Sequence, residues 1–423
     1  MAQADSTSSQ DMVTADGVPL KVSLRRAMRR KRNTALLLTA PLFFFLLITF
    51  LLPIGDMLFK SIDNSVVPEQ LPRTVEVIQT WNPDAEPVPP EPVFEAIVKD
   101  IAAGYEERTI GRVARRLNYD LPGASSLFRK TQRRADRLEA PFKEALLDID
   151  EEWGDPRLWR LIKRESDFTT MSHYIASVDM AYDEEGNIVS VPDERQIYLP
   201  LFWRTLWMSA AITGLCLLLG FPVAFLMATL PLRLSNLLMI LVLLPFWTSL
   251  LVRTSSWIAL LQTEGVINDI LVTIGLVSDD GRLQLIYNQT GTMIAMTHIL
   301  LPFMILPLYS VMKTIPPSYM RAAKSLGANP TTAFVRVYVP NTVAGMGAGG
   351  ILVFILAIGY YITPNLVGGR TGIFISNFIA QYISGSTQNW GLAAALGVLL
   401  LGIVMIMFLL YDKIVGVDNM KLG

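Results

Sequence analysis

Long apolar runs alternate with polar stretches along this chain of 423 residues. A run of about 18 or more apolar residues is long enough to cross a lipid bilayer as a helix. Six runs approach or exceed this length, and five of them follow residue 199. We therefore predict six transmembrane helices, over residues 34–53, 203–229, 236–261, 290–312, 341–364 and 387–411.

Basic residues indicate which ends of these helices face the cytoplasm. Lys and Arg accumulate in cytoplasmic loops, and a basic cluster stands immediately before the first apolar run. Alternation of the helices then places further basic residues on the same side and both termini in the cytoplasm. The basic residues concerned are Arg25, Arg26, Arg29, Arg30, Lys31, Arg32, Arg233, Lys313, Arg321, Lys324, Arg336 and Lys413.

The first apolar run has a cleaved signal peptide as its alternative interpretation. Its core is longer than that of a typical signal peptide, and no small-residue cleavage site follows residue 53. We interpret residues 34–53 as an uncleaved membrane anchor. Residues 1–33 and 414–423 are then predicted to be cytoplasmic tails.

Charge separates a soluble segment from the membrane part. The chain is 52% hydrophobic and has a net charge of −1, but residues 54–199 hold 28 acidic and 18 basic residues. This segment lies between the first two predicted helices, so we predict an extracytoplasmic insertion there. One cysteine and two histidines exclude a disulfide framework and make a thiol-based or histidine-rich metal centre improbable.

Periodicity within residues 54–199 predicts a folded, helix-rich insertion. Phe94, Ile97, Val98 and Ile101 are spaced for one apolar helix face. A second, basic helix is predicted around residues 128–137. Its charges are interpreted as a solvated face with ion pairs, and the alternative is a docking surface for a partner or an acidic lipid headgroup.

A short polar stretch interrupts the apolar runs between Met320 and Pro340. Pro316 and Pro317 favour the start of a helix, and Gly327 can adopt the left-handed conformation that closes it. Asn329 is a suitable N-cap for a second short helix that begins at Pro330. We predict two short helices joined at a glycine, which form a compact knob. An ordinary connecting loop is the alternative.

The spacing A-A-x-x-x-G-x(9)-I-x-L-P in this stretch resembles the cytoplasmic coupling loop of permease subunits in binding-protein-dependent ABC importers. The stretches at 204–209, 244–261 and 359–369 resemble the spermidine/putrescine branch of that family. Arg321 stands where the family usually has Glu, so a salt-bridge partner on the ATPase is expected to differ. The resemblance implies ATPase-coupling roles for Arg321, Ala322, Ala323, Gly327, Val337 and Pro340.

The resemblance covers residues 200–413, with the coupling loop at 314–340. It implies an all-α integral membrane protein with the six-helix fold of type I ABC importer permeases, located in the bacterial inner membrane. The implied partners are two ATPase subunits, a second permease, a periplasmic solute-binding protein and the lipid bilayer, without nucleic acid. The insertion lies outside the resemblance.

The chain lacks the sequence features of an enzyme. No lysine follows a glycine, so the G-x-x-x-x-G-K-[ST] phosphate loop is absent from the sequence. ATP and Mg are therefore expected on the partner ATPase, and no catalytic residue, metal site or cofactor is predicted here. A membrane sensor is the alternative class, but it would normally carry a cytoplasmic output domain. A secondary transporter is disfavoured because the helices hold little acid for ion coupling.

Polar and aromatic residues within two apolar runs predict a substrate pathway. A charged side chain at membrane depth usually faces a cavity or a partner, which draws attention to Arg253. Aromatic rings attract ammonium groups, although interfacial anchoring is an equally good interpretation of the tryptophans. The candidate pathway residues are Trp247, Ser249, Arg253, Trp257, Tyr360, Tyr361, Thr363 and Asn365.

The predicted cargo is a polyamine, putrescine or spermidine. Arg253 repels a polycation, and the acidic residue that the family often carries near Tyr360 is absent from this sequence. An opine, an amino-acid derivative or another small solute is therefore the alternative. The glycines at 345, 347, 349 and 350 are expected to allow close helix packing against the second permease.

Overall fold

The computed structural model describes residues 20–183, 185–385 and 388–415. The predicted tails before residue 20 and after residue 415, and Glu184 in the insertion, lie outside the described residues. The chain divides into two compact units, Met1–Phe59 and Lys60–Gly423.

The first unit is a long helical segment. Helix α1 spans Leu20–Leu46, a π-helical turn covers Leu47–Leu51, and α2 spans Leu52–Lys60. The stretch Met28–Lys60 is long and apolar enough to cross a membrane, and its most apolar part has no buried residue. The predicted helix over 34–53 therefore lies within a longer one.

Eight helices and one β-hairpin follow. They are α3 (Val66–Gln70), α4 (Pro72–Ile78), α5 (Glu91–Glu106), α6 (Ile110–Asp120), α7 (Ala124–Thr131), α8 (Phe142–Ile149), α9 (Pro156–Arg164), α10 (Ser172–Ser177), β1 (Met180–Tyr182) and β2 (Ile188–Ser190). The two strands pair antiparallel with Ala181 opposite Val189. The expectation of an all-α protein is therefore wrong at this hairpin, whose three-residue strands are too short to show a periodic pattern.

Helices α3–α9 enclose a hydrophobic core of their own. Phe94 packs on Trp159 with ring centroids 4.6 Å apart, and Trp153 lies between Trp159 and Phe128 at 5.7 and 5.4 Å. The predicted apolar face of α5 is confirmed, because Phe94, Ile97, Val98 and Ile101 are all buried. Residues 60–197 are called the insertion below.

The predicted basic helix around residues 128–137 is wrong in extent. Helix α7 ends at Thr131, and a 3-10 turn covers Ala135–Arg137. The buried Thr131 hydroxyl accepts a 2.9 Å hydrogen bond from the indole N–H of Trp153, and Ala135 is buried as well. The chain must turn after Thr131 to bury both residues, so tertiary packing overrides the local helical preference.

The remainder of the chain is helical. Its helices are α11 (Tyr198–Thr229), α12 (Leu232–Leu243), α13 (Leu250–Leu261), α14 (Val266–Thr273), α15 (Gln289–Thr314), α16 (Pro317–Ser325), α17 (Pro330–Ala333), α18 (Val339–Asn341), α19 (Val343–Gly359), α20 (Ile362–Val367), α21 (Ile375–Ser384) and α22 (Trp390–Val415). Helices α11, α15 and α19 pack against one another as the centre of this part.

Among the described residues, four helices are long and apolar enough to cross a membrane, and the count is six if each of two bent pairs forms one span. The predicted span over 236–261 is not one continuous helix, since the chain bends by 97° between Leu232–Trp247 and Leu250–Thr273. Pro245 stands in the 3-10 turn before the bend, and the Ser249 hydroxyl caps the restarted helix at the N–H of Val252. The second bent pair, Pro330–Asn341 with Val343–Gly359, turns by 57°.

Glycines permit the close approach of α19 to α15. A Cβ at Gly345 would lie 3.2 Å from the Leu308 Cα, and one at Gly349 would lie 2.7 Å from the Met304 sulfur. The expectation that these glycines face a second permease is therefore wrong for Gly345 and Gly349. They serve helix packing within this chain instead.

The insertion is joined to the helical part at α11 and α22. The Asp179 carboxylate accepts hydrogen bonds from the backbone N–H groups of Ile197, Tyr198 and Leu199 at 2.9, 3.1 and 2.7 Å, and so caps the start of α11. Helix α10 packs on α22, where the His173 ring leaves no space for a Cβ at Gly391. The insertion is thus fixed to the beginnings of two candidate spans.

Candidate functional site

The first candidate site is the segment α16–α17, here called the coupling knob. Pro317 occupies the first turn of α16, and Gly327 ends that helix with φ +90°. The N–H of Ala328 returns to the carbonyl of Ala323 at 3.0 Å, which closes the helix end. The Asn329 side chain accepts a 2.7 Å hydrogen bond from the N–H of Thr332. The predicted helix start, left-handed glycine and N-cap are all confirmed.

The first helix of the coupling knob is the exposed part of it. Helix α16 has no buried residue. Arg321 and Ala322 are exposed, and Leu326, just before the left-handed Gly327, is 89% exposed. Leu326 was not among the coupling residues predicted from the sequence, although an aliphatic residue beside a helix-closing glycine on an otherwise polar helix is a recognisable signal. A projecting leucine on a polar knob is suited to insertion into an apolar groove of another protein.

Aromatic stacking fixes the base of the coupling knob to α11. Phe334 stacks on Tyr338 with ring centroids 5.5 Å apart, within the π-helical turn Phe334–Tyr338 that also holds Val337. Phe225 of α11 packs edge-on against both rings at 5.4 and 5.2 Å. Pro340 follows within α18. The base of the knob is therefore packed directly against α11.

The second candidate site surrounds Arg253 on α13. Its Nε is buried and has no hydrogen-bond partner among the described residues. The guanidinium lies close enough to His298 and Tyr360 to interact electrostatically with both. Trp257, one turn further along α13, donates its indole N–H to Nδ1 of His298 at 3.2 Å. This group combines a cation, an imidazole and aromatic rings within the membrane part.

The break between α19 and α20 lies beside this group. The carbonyls of Tyr360 and Tyr361 accept hydrogen bonds from the side chains of Ser376 and Asn377 at 2.6 and 2.8 Å. Thr363 bonds across to Thr254 on α13, with 3.1 Å between the hydroxyl oxygens. Because side chains of α21 satisfy the carbonyls of Tyr360 and Tyr361, the fold stabilises the interruption between α19 and α20.

The structure brings together only part of the predicted pathway set. Arg253, Trp257, Tyr360 and Thr363 belong to the group, and His298 and Thr254 join it although the sequence did not single them out for the pathway. Trp247 is 76% exposed, which favours its interpretation as an interfacial anchor. Tyr361 and Asn365 are exposed as well, and Ser249 serves as the N-cap of α13.

An apolar helical body with a polar break inside and an exposed knob outside is the architecture of a membrane transport subunit. Residues 220–415 match the family described as "Binding-protein-dependent transport system inner membrane component". The chain belongs to this family of importer permeases.

Curated relatives agree with this assignment. The spermidine/putrescine transport system permease protein PotB of Haemophilus influenzae is 33% identical over 225 residues, which cover 53% of this chain and 78% of that protein. PotB of Escherichia coli K12 is 32% identical over 226 residues, which cover 53% and 81%. A solved bacterial transporter that imports the acidic polysaccharide alginate is 18% identical, with a TM-score of 0.39 over 54% of this chain and 86% of that one.

Family membership fixes the coarse function. The chain is a multi-pass inner-membrane permease subunit of an ABC importer and not an enzyme, and ATP hydrolysis belongs to a separate subunit. The family match begins at residue 220, so the insertion precedes it.

Proposed function

We propose that this permease moves a polyamine, putrescine or spermidine, from a periplasmic binding protein into the cytoplasm. The two PotB relatives, each matched over more than three-quarters of its length, support this cargo. The working assembly comprises this chain, a second permease and two ATPase subunits that bind ATP and Mg. Both termini and the coupling knob then face the cytoplasm, and the insertion faces the periplasm.

The exposed coupling knob is the observation that carries the proposed mechanism. Leu326 enters an apolar groove of an ATPase subunit, while Arg321 faces an acidic group on the same subunit. Closure of the ATPases on ATP displaces the knob, and the stacked rings of Phe225, Phe334 and Tyr338 transmit that displacement to α11. ATP shifts the inward/outward equilibrium only because these contacts differ between the two states.

The group around Arg253 supports two kinds of cargo. The rings of Trp257 and Tyr360 attract an ammonium group by cation–π contact, worth about 0.5–2 kcal/mol each. The Nε of Arg253, which has no partner among the described residues, favours a carboxylate instead, because a guanidinium binds a carboxylate through two parallel hydrogen bonds. An opine or an amino-acid derivative carries both groups and is the second candidate cargo.

Uptake into proteoliposomes tests the proposal. The full assembly, with ATP supplied to the ATPase side, is expected to accumulate labelled spermidine when loaded binding protein is added outside. Leu326→Asp should reduce uptake at least tenfold by placing a charge in the apolar groove. Leu276→Asp, at another highly exposed leucine in the loop after α14, is the matched control.

Different results of this experiment would contradict the proposed cargo and the proposed coupling role. Uptake of an opine but not of spermidine by the wild-type assembly would replace the polyamine with the second cargo. Equal uptake by Leu326→Asp and wild type would remove the coupling role from the knob. Absence of uptake for any organic solute tested would count against import itself.

A further inference from the structure

The insertion carries one strongly basic region within an acidic surrounding. Residues 108–137 contain nine basic and two acidic residues, a net charge of +7, whereas residues 54–199 as a whole have a net charge of −10. Eight of the nine bases are arginine. Arg116 is buried in an ion pair with Glu165, and Lys130 pairs with Asp150.

Six of these arginines form what we call the arginine face. All six are exposed, and none has a salt bridge to a carboxylate among the described residues. The interpretation of this basic stretch as a face neutralised by local ion pairs is therefore wrong for them. They are Arg108, Arg112, Arg115, Arg129, Arg133 and Arg134.

The arginine face comprises residues of α6 and α7 and of the turns before α6 and after α7. The Asn118 side chain accepts hydrogen bonds from the N–H groups of Gly123 and Ser125, both at 3.1 Å, so the chain reverses between α6 and α7. The Ser125 hydroxyl then donates to the carbonyl of Ala114 at 3.2 Å, in the middle of α6. Helix α7 therefore runs back along α6 and brings Arg129 and Arg133 toward the start of that helix.

The C-terminal end of α6 lies beside the start of a candidate membrane span. Tyr119, at the end of α6, donates a hydrogen bond to the carbonyl of Gln388, two residues before the candidate span that begins at Trp390. The first turn of α6 lies about 15 Å further along its axis, since each helical residue adds about 1.5 Å. Arg112, in the first turn of α6, therefore lies at the end of the helix that is remote from this contact.

We propose that the arginine face docks an acidic surface of the solute-loaded binding protein, an inference that rests on the proposed import function. Arginine binds carboxylates through two parallel hydrogen bonds, so eight arginines to one lysine favour a protein surface rich in Asp and Glu. A lipid-binding surface usually adds exposed apolar anchors, and the only large apolar or aromatic side chain exposed in 108–137 is that of Tyr119. The unpaired charges steer the acidic partner from solution onto the permease.

The test uses the full assembly in lipid nanodiscs and the binding protein that stimulates its ATP hydrolysis. In the variant Arg112→Glu/Arg133→Glu, the concentration of loaded binding protein that gives half-maximal stimulation should rise about tenfold at low salt. Added salt should weaken the wild type but change the variant little, because salt screens exposed charges. Lys99→Glu/Arg195→Glu, with the same change in charge on exposed residues of the insertion, is the control.

Three results would overturn the docking role. One is an unchanged half-maximal concentration in the arginine variant, and another is an equal rise in the control. The third is a rise that disappears in nanodiscs without anionic lipid, which would assign the arginine face to lipid headgroups. In each case the wild type still imports, whereas a wild type that no binding protein stimulates removes the import function itself.

Discussion

The insertion and the coupling knob use their side chains in opposite ways. In the insertion, the guanidinium of Arg116 is 8% exposed and bonds to the fully buried Glu165 at 2.6 Å and to Asp120 at 2.7 Å. The Ser172 hydroxyl donates to the other oxygen of Glu165 at 2.7 Å. In the knob, α16 buries nothing, and Leu326 is 89% exposed. The buried charged groups of the insertion have their partners within the insertion, whereas the side chains of α16 have none of this burial.

This difference separates stability from coupling. A buried ion pair leaves an uncompensated charge when one partner is removed, so changes in the insertion should unfold it locally. Changes on α16 remove no buried side chain and should alter coupling while the fold remains. The insertion also carries the arginine face. It therefore combines an interior whose charged groups are paired with a surface whose arginines have no carboxylate partner among the described residues.

The largest effect is expected for Glu165→Ala. Burial alone would raise the pKa of Glu165, but the positive charge of Arg116 and the hydrogen bond from Ser172 hold that pKa below its usual range. Removal of the carboxylate leaves Arg116 with Asp120 as its only carboxylate and with the side-chain oxygen of Asn64, and it should cost about 3 kcal/mol. Hydrogen exchange of α6 and α9 in the full chain measures this as a lower opening free energy.

Glu95→Ala is the matched control for that experiment. Glu95 pairs with Lys99 at 2.5 Å on an exposed face, where such pairs contribute less than about 1 kcal/mol. Equal loss of protection in the two variants would show that the buried network does not hold the insertion together.

Protonation of His173 in acid is expected to have a somewhat smaller effect on the free energy of unfolding. Burial, reinforced by the positive charge of Arg116, lowers the pKa of His173 from 6.5 to about 4 against the opposing effects of Glu165 and Asp63. The unfolded state takes up the proton near pH 6.5, so this contribution to stability is complete above that pH and is lost as the pH falls toward 4. The loss amounts to about 3 kcal/mol at most.

Exchange of α10 and of the first turns of α22, corrected for the intrinsic rate, measures the acid effect between pH 6.5 and 5. Glu165 does not contribute to the change in this pH window. Because its pKa is lowered, its contribution to the free energy of unfolding is lost only below about pH 4.5. His173→Gln should remove the pH dependence. Protection that falls equally in this variant and in wild type would assign the acid sensitivity to another group.

Local turn chemistry explains why the coupling knob could be predicted from the sequence. Pro317, Gly327, Asn329 and Pro330 each act on the backbone within a few residues, and the structure has them in those roles. Arg253 was recognisable for a similar reason, because a lone charge in an apolar run is conspicuous by itself.

Nonlocal contacts explain what the sequence could not predict. The bond between Trp257 and His298 spans 41 residues, and that between Tyr119 and Gln388 spans 269. Asp179 caps a helix that begins 19 residues later in the chain, and no turn motif marks this role. The bend at Thr248 was missed because composition gives the length of an apolar run but not its straightness.

The smallest change in free energy, with a large functional consequence, is expected for Gly327→Val. A left-handed φ of +90° strains a β-branched residue by roughly 1–2 kcal/mol, and a Cβ at this position would meet no atom within 4 Å. The strain is therefore purely local, and it should tilt Leu326 and Asn329 relative to each other without disturbing the core. Transport and stimulated ATP hydrolysis should fall while the amount of folded permease in the membrane is unchanged.

The control is Gly327→Asn, which should keep most of the activity because asparagine tolerates the left-handed region better than most other side chains. Activity lost equally in both variants would indicate that bulk at this position matters rather than backbone conformation, and unchanged activity in Gly327→Val would show that transmission does not depend on the shape of the knob.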